Sequence, residues 1–346
     1  MADLATMMRV HTPGGELVAD RVEVGTPPPG WVALDVVASG VCRADLGTAA
    51  AEGADLPVTP GHEVAGTISE LGEGISGWQV GDRVAVGWFG GSCGHCRACR
   101  TGDVVHCPER RIPGVSYPGG WTSRFLAPAA ALARIPDGLD FVDAAPMGCA
   151  GVTTFNALRT ADVPAGGRVA IFGIGGLGHL AVQFAAAMGY EVVAIARGPE
   201  RSEIAHQLGA DHYLDSTATP PGRALRALGG ADAIIATASS TEPVAELIAG
   251  LRPHGRLVLI GVDAGALQLP VGSMVSHALT VTGHITGSPT DTEQAMEFAV
   301  GNGVRPVTQI YPLVDAPTAL ADLRDGRARF RLVLDATVAP GDAARG

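Results

Sequence analysis

The chain has 346 residues, of which 47% are hydrophobic and 17% charged, and its formal net charge is 24 minus 35, or -11. This length suits two domains with substantial buried cores. The acidic balance, without a long basic cluster, argues against a nucleic-acid partner. No apolar run approaches the roughly 20 residues of a membrane-spanning helix, and the opening MADLATMMRV lacks the apolar stretch of a signal peptide.

The first part of the chain is predicted to be rich in short β-strands. Valine-containing segments broken by Gly and Pro, such as 31–37 and 81–86, are typical of a barrel-like domain. From about residue 151 strands and helices alternate, which indicates a parallel sheet with right-handed crossovers. The expected strands are 168–173, 191–196, 232–236 and 256–261, and the expected helices are 176–188, 200–208 and 242–251.

Near residue 288 the chain is expected to return to the first domain. A helix is predicted over 291–300 and a final strand over 329–334, and 340–346 is interpreted as a loose tail. The sequence therefore predicts an α/β protein with two domains, comprising 1–150 with 288–346, and 151–287.

Four of the six cysteines fall in one short run, GSCGHCRACRTGDVVHC. Their two-residue gaps allow successive thiolates to turn back onto one tetrahedral zinc ion, and a closed site of four thiolates is structural. The alternative is a disulfide cluster, against which the missing signal peptide argues. Six thiols that all suit zinc also indicate a reducing cytoplasm. The proposed structural ligands are Cys93, Cys96, Cys99 and Cys107.

The other two cysteines, Cys42 and Cys149, lie far apart, with His62 between them in a Gly-His-Glu run. Two cysteines and one histidine hold zinc while leaving a fourth position for water or substrate. Considered alone, each cysteine is interpreted as a buried apolar thiol, and His62 as a hydrogen-bonded core residue. Their joint presence with the quartet favours a second, catalytic zinc site.

A glycine-rich segment follows the predicted strand RVAIF at 168–172 and precedes a helical pattern. Strand, glycine turn and helix in this order bring backbone N–H groups and a positive helix end to a pyrophosphate. Chance clustering remains the alternative in a chain with 48 glycines. The candidate dinucleotide-binding residues are Gly173, Gly175, Gly176, Leu177 and Gly178.

The end of the next strand bears on cofactor choice. An acid there binds the ribose 2′-hydroxyl of NAD, whereas an arginine accommodates the 2′-phosphate of NADP. This chain has Ala196 followed by Arg197, with Arg201 close behind. The pattern favours NADP(H) over NAD(H), with Arg197 as the phosphate partner and Arg201 as a second. The alternative is a solvated Arg197 and mixed specificity.

These motifs together resemble the zinc-containing medium-chain alcohol dehydrogenases. The resemblance covers nearly the whole chain, and the strand end resembles the bacterial and cinnamyl-alcohol-type members that use NADP. It implies a GroES-like barrel domain that holds both zinc ions, a Rossmann domain with a doubly wound parallel sheet, and substrate between the two. The motifs that carry it are GVCRAD, GHE, CGHCRACRTGDVVHC, CAGVTTFNAL and GIGGLGH.

The resemblance also implies roles for single residues. It makes Cys42, His62 and Cys149 the catalytic zinc ligands, with Glu63 able to approach the metal during ligand exchange. It makes Asp45 the carboxylate that orients His62. It places Arg331 at the cofactor pyrophosphate, with Arg329 as the near alternative, and Thr153 on the nicotinamide side.

One position departs from the family. Many members carry Ser or Thr two residues after the first zinc cysteine, where the hydroxyl relays the alcohol proton, but this chain has Ala44. The proton must then leave through water or another side chain, or the enzyme reduces an imine or an activated double bond instead.

The expected reaction is hydride transfer between NADP(H) and an alcohol/aldehyde pair, with a zinc ion as Lewis acid. Trp88, Phe89 and Trp121 are interpreted either as an apolar wall for medium-length or aromatic substrates or as plain core. A homodimer or homotetramer is expected, through the Rossmann-domain edge near residues 279–282. A non-catalytic dinucleotide-binding protein is the third interpretation.

Overall fold

The structure is a computed structural model that describes residues 4–238, 241–261 and 265–338. The tail predicted at 340–346 lies outside these residues. The chain divides into two compact units, of which one comprises Met1–Val152, Thr286–Gly301 and Pro306–Gly346, and the other Thr153–Ile285 and Asn302–Arg305.

The amino-terminal part of the first unit is strand-rich, as the valine-rich segments predict. Its elements are β1 Leu4–Val10, β2 Leu17–Glu23, β3 Trp31–Val41, α1 Arg43–Ala50, β4 Val64–Leu71, β5 Arg83–Val86, α2 Arg97–Arg100, β6 Arg124–Pro128, β7 Ala133–Arg134 and α3 Phe141–Pro146.

The second unit alternates strands and helices. It starts within α4 Val152–Thr160 and continues through β8 Arg168–Phe172, α5 Gly178–Ala187, β9 Glu191–Ala196, α6 Ser202–Gln207, β10 His212–Asp215, α7 Pro221–Ala227, β11 Ala231–Ala236, α8 Thr241–Leu247, β12 Leu251–Leu259, α9 Val271–Ser276 and β13 Thr280–Gly283.

The chain then returns to the first unit. Its last elements are α10 Pro289–Asn302, β14 Thr308–Pro312, α11 Ala316–Arg324 and β15 Arg331–Asp335. The strand β15 pairs antiparallel with β3, which joins the end of the chain to its beginning.

The first unit contains a sheet in the order β14-β15-β3-β4-β5-β7, with β6 also paired to β3, and β1 and β2 form a separate antiparallel pair. Strand β3 lies at the centre of this sheet, and eight of its eleven residues are buried. The zinc-ligand candidates flank this sheet, since Cys42 directly follows β3 and His62 shortly precedes β4.

The second unit contains a six-stranded parallel sheet in the order β10-β9-β8-β11-β12-β13. Numbered within the unit this is 3-2-1-4-5-6, the doubly wound order in which ligands bind beyond the carboxyl ends of the strands where the order reverses. That point lies between β8 and β11. The buried side chains of β8, β9 and β11 are almost all Val, Ile, Phe and Ala, as a sheet covered on both faces requires.

The predicted α/β fold with a parallel sheet is confirmed. One boundary was wrong: the strand expected at 256–261 is β12, which begins five residues earlier, at Leu251. Pro253 and Gly255 suggest a turn in the sequence, but the chain passes through them with His254 at a φ of 64° and continues the strand. Within the described residues, no helix combines the length and apolar character needed to span a membrane.

Candidate metal centres and dinucleotide site

The four clustered cysteines converge on one point of the first unit. Their sulfur atoms lie 3.5 Å apart for Cys96 and Cys99, 3.6 Å for Cys93 and Cys107, and 4.0 Å for Cys93 and Cys99. Four thiolates at about 2.3 Å from one zinc ion stand about 3.8 Å apart in a tetrahedron. The separations exclude disulfides, and all four cysteines are free. The donor set therefore fits a closed zinc site.

Backbone N–H groups of the loop point at these sulfurs. The N–H of Cys96 donates to Cys93 Sγ at 3.4 Å, and that of Cys99 donates to Cys96 Sγ at 3.5 Å. The N–H of Cys93 donates to Cys107 Sγ at 3.5 Å. Such bonds stabilise negative sulfur, the form in which cysteine binds a metal.

The second candidate site brings together side chains from three distant segments. The donor atoms of Cys42, His62, Glu63 and Cys149 all lie within 4.8 Å of one another. Cys42 is the residue that caps α1, and its N–H donates to Asp45 Oδ2 at 2.8 Å. Cys149 lies in a π-helical turn, Met147–Gly151, between α3 and α4. Such turns are frequent at functional sites.

His62 is fixed by one ring nitrogen and available through the other. Its Nδ1 lies 2.9 Å from Asp45 Oδ1, and both side chains are buried. Its Nε2 is buried and has no hydrogen-bond partner. A buried polar atom without a partner is costly, and a metal ion shared with the two cysteines would satisfy it. The predicted role of Asp45 in orienting the imidazole agrees with this contact.

The ionisable groups of this site are strongly coupled. A hydrogen bond from Cys149 lowers the pKa of Cys42 well below its usual value, and the same contact raises the pKa of Cys149. Burial lowers the pKa of His62, but the charges of Asp45 and Cys42 outweigh it and hold this pKa well above its ordinary value. Metal binding here therefore displaces protons.

Glu63 and Arg331 form a buried ion pair beside the site. Arg331 Nη2 lies 2.6 Å from each carboxylate oxygen of Glu63, and both residues are less than 5% exposed. Burial raises the pKa of Glu63 to about 7, against the opposing effect of Arg331. The predicted contact of Arg331 with a pyrophosphate stays a prediction, and its pairing with Glu63 is a finding that the sequence pattern did not indicate. Arg329, the alternative, is exposed.

Of the three aromatic candidates, Trp88 contacts the site. Its ring meets His62 edge to face, with 4.9 Å between the ring centroids. Trp121 is fully buried and donates from Nε1 to the carbonyl oxygen of Gly40 at 3.1 Å. Trp121 belongs to a core cluster with Met8 and Leu332, so its interpretation as a substrate wall is wrong. Phe89 is also buried.

The glycine-rich turn of the second unit has the local form that a dinucleotide requires. Gly173 has a φ of 96°, which favours glycine, and a Cβ on Gly178 would overlap the carbonyl oxygen of Gly173. A Cβ on Gly175 would have no heavy atom within 4 Å. These are the three roles expected of such glycines: the tight turn, close helix packing and room for the pyrophosphate. Gly176 and Leu177 complete the turn before α5.

Two residues that support this turn were missed by the sequence analysis. Thr237 directly follows β11 and donates from Oγ1 to the carbonyl oxygen of Gly173 at 2.7 Å. His179 is buried, and its Nδ1 lies 3.0 Å from the carbonyl oxygen of Gly175. The position of Thr237, at the end of the strand across the switch point, was the signal available in the sequence.

The end of β9 carries the residues expected to select the cofactor. Arg197 is exposed, and no acid precedes it at Ala196. Arg201 is half-buried and donates from Nη1 to the carbonyl oxygen of Ile174, within the glycine turn. The next strand contributes Asp215, which accepts a hydrogen bond from the N–H of Gly198 at 2.8 Å. Arg197 is thus the cation at this strand end that faces solvent.

Two family models match the chain. Residues 28–137 match the alcohol dehydrogenase GroES-like domain, and residues 176–301 match the zinc-binding dehydrogenase family. The first range contains the cysteine quartet, Cys42 and His62, and the second contains the end of the glycine-rich turn. The predicted pairing of a GroES-like domain with a Rossmann domain is confirmed.

Curated relatives are similar over nearly their whole length. An alcohol dehydrogenase of Aspergillus sp. (strain MF297-2) is 37% identical over 322 residues, which cover 93% of this chain and 95% of the relative. An alcohol dehydrogenase of Geobacillus stearothermophilus is 37% identical over 309 residues, covering 88% of this chain and 91% of the relative.

Solved structures share the fold. A cinnamyl alcohol dehydrogenase of Sorghum bicolor has a TM-score of 0.88 and 30% identity, covering 97% of this chain and 98% of that one. A structure entitled CAD from Helicobacter pylori, complexed with NADP(H), has a TM-score of 0.87 and 26% identity, covering 98% of this chain and 100% of that one. Together with the relatives and the family models, these likenesses show that the chain belongs to the zinc-binding medium-chain alcohol dehydrogenase family.

Proposed function

We propose that the protein is a zinc-dependent, NADP(H)-linked alcohol dehydrogenase and aldehyde reductase. The observation that carries this proposal is the buried, unpartnered Nε2 of His62, whose ring is held from behind by Asp45 and whose neighbours are the thiols of Cys42 and Cys149. Three protein donors in this arrangement leave a fourth position for substrate.

The chain's own residues prepare this position. Asp45 fixes the imidazole, Cys42 is fixed at the start of α1, and the Glu63–Arg331 pair keeps a buried negative charge compensated beside the donors. A zinc ion held there supplies a Lewis acid that stabilises negative charge on the alcohol or carbonyl oxygen. We assign the closed Cys93, Cys96, Cys99 and Cys107 set to a second zinc ion with a structural role.

The preference for NADP(H) is supported by the end of β9. An exposed arginine without a carboxylate before it suits a 2′-phosphate better than a free 2′-hydroxyl. The Helicobacter pylori neighbour is described as complexed with NADP(H). Arg197 is the proposed phosphate partner. Arg201 is proposed to act from the base of the glycine turn, to which it is already bound.

The proposed substrates are medium-length or aromatic primary alcohols and their aldehydes. The support is the ring of Trp88, which meets the ring of His62 edge to face and so places an aromatic side chain beside a proposed zinc ligand. The Sorghum bicolor neighbour is described as a cinnamyl alcohol dehydrogenase. A polyol would require more polar groups beside these donors.

A second candidate function follows from Ala44. This residue lies on the exposed side of α1, two positions after Cys42, and has no hydroxyl to pass a proton. Reduction of an imine or an activated C=C bond on the same fold does not require that hydroxyl. Ala44→Ser separates the two candidates, because a large gain in alcohol oxidation would show that the missing hydroxyl limits this reaction.

The test is steady-state reduction of benzaldehyde, cinnamaldehyde, hexanal and a cyclic imine, with NADPH and NADH in parallel, before and after zinc removal. Zinc-dependent aldehyde reduction that favours NADPH supports the proposal. Turnover of the imine alone selects the second candidate. Cofactor binding without turnover of any acceptor would leave only a dinucleotide-binding protein.

The role of Arg197 gives a separate prediction. Arg197→Ala removes the cation that faces the proposed 2′-phosphate, so kcat/KM for NADPH is expected to fall by about tenfold or more, the size of a charge-assisted hydrogen bond. The value for NADH should stay within about twofold. Arg223→Ala, at an exposed arginine at the start of α7, is the control. Equal losses with both cofactors would remove Arg197 from this role.

We also propose a cytoplasmic homo-oligomer. Strand β13 is the edge of its sheet, pairing with β12 alone within the described residues. In α9, just before it, Val271 and Val275 are more than 70% exposed. An edge strand beside exposed apolar side chains is a surface that proteins commonly cover. Sedimentation of the intact protein and of Val275→Glu tests this assembly.

A further inference from the structure

The cysteine loop contains a further set of metal donors, two of which belong to neither zinc site. The ligand atoms of Cys93, His95 and Glu109 lie within 4.8 Å of one another. Sulfur, imidazole nitrogen and carboxylate oxygen are all donors to zinc. Cys93 also belongs to the quartet, so the two donor sets share one sulfur atom.

The donors on the two sides of the shared Cys93 sulfur differ in solvent exposure. Cys107 is buried, and Cys93, Cys96 and Cys99 are half-buried, whereas His95 and Glu109 are exposed. A hydrated ion in solution therefore meets the imidazole and the carboxylate more readily than the deepest sulfur. Cys93 connects the outer donors to the inner set.

The charges of the loop favour the same entry point. Between residues 93 and 111 the chain has four arginines, at positions 97, 100, 110 and 111, and these repel a divalent cation. The loop has two carboxylates, and one of them, Asp103, lies 2.7 Å from His106 Nδ1. Glu109 is the carboxylate that stands beside a quartet sulfur.

We propose that Cys93, His95 and Glu109 form an exchange site through which zinc enters and leaves the tetrathiolate. In this route His95, Glu109 and the Cys93 thiolate would replace water ligands of an arriving zinc ion. The other three sulfurs would then replace the imidazole, the carboxylate and the water that remains, and each thiol that binds would release its proton to water. The oxidation state of zinc does not change, and zinc has no d-electron preference that would resist an intermediate geometry.

This role is kinetic and differs from that of a permanent ligand. The exchange site lowers the barrier between free and bound zinc, so its loss slows loading and release by the same factor. The equilibrium affinity, which depends on the two end states alone, stays the same. A residue that stabilised the loaded tetrathiolate would instead speed release and weaken affinity.

The experiment measures both rates in the full-length protein. Zinc release to the chelator 4-(2-pyridylazo)resorcinol is followed by stopped flow, and reloading of the metal-free protein is followed with Zn²⁺ alone. The phase of release that accompanies loss of activity belongs to the site of Cys42, so the other phase reports the tetrathiolate. The variants are His95→Ala, His95→Asn and Glu109→Gln. His106→Ala is the control, at an exposed histidine of the same loop outside this donor set.

The expected result is a fall of about tenfold in both rates, which corresponds to about 1.4 kcal/mol of barrier height, with their ratio unchanged and the control unaffected. Unchanged rates in all three variants would overturn the proposal, as would faster release with weaker affinity. The proposal rests on the structural zinc site assigned above. If the purified protein contained one zinc per chain, that site would itself fail, and metal analysis separates this outcome from a failure of the exchange role.

Discussion

The two proposed zinc sites are built in opposite ways. The quartet lies within one loop, from Cys93 to Cys107, and backbone N–H groups of the same loop donate to its sulfurs. The second site collects Cys42, His62 and Cys149 from segments around β3, β4 and α3, and its imidazole is held by Asp45, which is not one of the donors. The closed site is thus stabilised by the backbone of its own loop, whereas the open site is stabilised by neighbouring side chains.

This difference suits the two roles. Four sulfurs complete the coordination of zinc and leave no position for substrate, so the quartet can contribute only to the fold. Three donors leave one position open, and the protein must then hold those donors in place without closing it. Asp45 and the Glu63–Arg331 pair provide this support.

The largest expected effect comes from the open site. His62→Ala removes one of its three protein donors, and kcat/KM for aldehyde reduction should fall by about a thousandfold or more, because several kcal/mol of Lewis-acid stabilisation are lost. Zinc content should fall from two to one per chain. Steady-state kinetics and metal analysis test this, with His106→Ala as the control. Wild-type turnover in the variant would contradict the assignment of His62.

Removal of a quartet sulfur should lower the stability of the protein more than its activity. Cys107→Ser removes its buried sulfur, and the melting temperature should fall by about 10 °C or more because metal binding at such a site contributes to folding. At low temperature the folded fraction should still turn over aldehyde. Calorimetry and assays on the same sample test this, with Ser276→Ala, at an exposed serine of α9 outside the quartet, as the control. An unchanged melting temperature with lost activity would show instead that the quartet is catalytic rather than structural.

The support around the open site can be tested through its ion pair. Glu63→Gln leaves the buried Arg331 without its charge partner, and breaking a buried pair from one side costs about 3–5 kcal/mol. Chemical denaturation should show this loss. Asp325→Asn, at the exposed pair with Arg327, is the matched control and should change the free energy of unfolding by less than about 1 kcal/mol. Equal effects of the two variants would show that the buried pair does not support the site.

The smallest of these effects concerns the orientation of His62. Asp45→Asn weakens the contact to Nδ1, and zinc affinity at the open site should fall by about 10–100-fold. Asp103→Asn is the matched control, because Asp103 makes a similar contact with His106 at 2.7 Å, but on the surface. Competition with a chelator measures the zinc affinity of both variants. A drop of similar size in the two variants would argue for a general effect of lost charge.

The sequence was sufficient where the information is local. The cysteine spacing of the quartet, the strand before the glycine turn and the helix after it all lie within short stretches, and the structure shows each of these elements close to its predicted position. The strand at 191–196 agrees residue for residue. Local patterns of hydrophobicity and turn residues determine such elements.

The sequence was insufficient where the information is long-range. Glu63 and Arg331 are 268 positions apart, and nothing near either residue indicates the other. The sequence did not distinguish Trp121 from Trp88 as candidates for a substrate wall. In the structure Trp121 packs among core side chains, whereas Trp88 packs against His62. The π-helical turn at Cys149 makes tertiary contacts, including a hydrogen bond from the backbone N–H of Trp88 to the carbonyl oxygen of Gly148 at 3.3 Å.

We propose that the open site, and not the quartet, performs the chemistry. The most direct measurement is to prepare the metal-free protein, restore Zn²⁺ stepwise, and follow aldehyde reduction with NADPH against the zinc bound to each site. We expect activity to rise in proportion to zinc at the site of Cys42, His62 and Cys149 and to be absent when the quartet alone is filled. Activity in the metal-free protein, or activity that follows the filling of the quartet, would contradict this assignment.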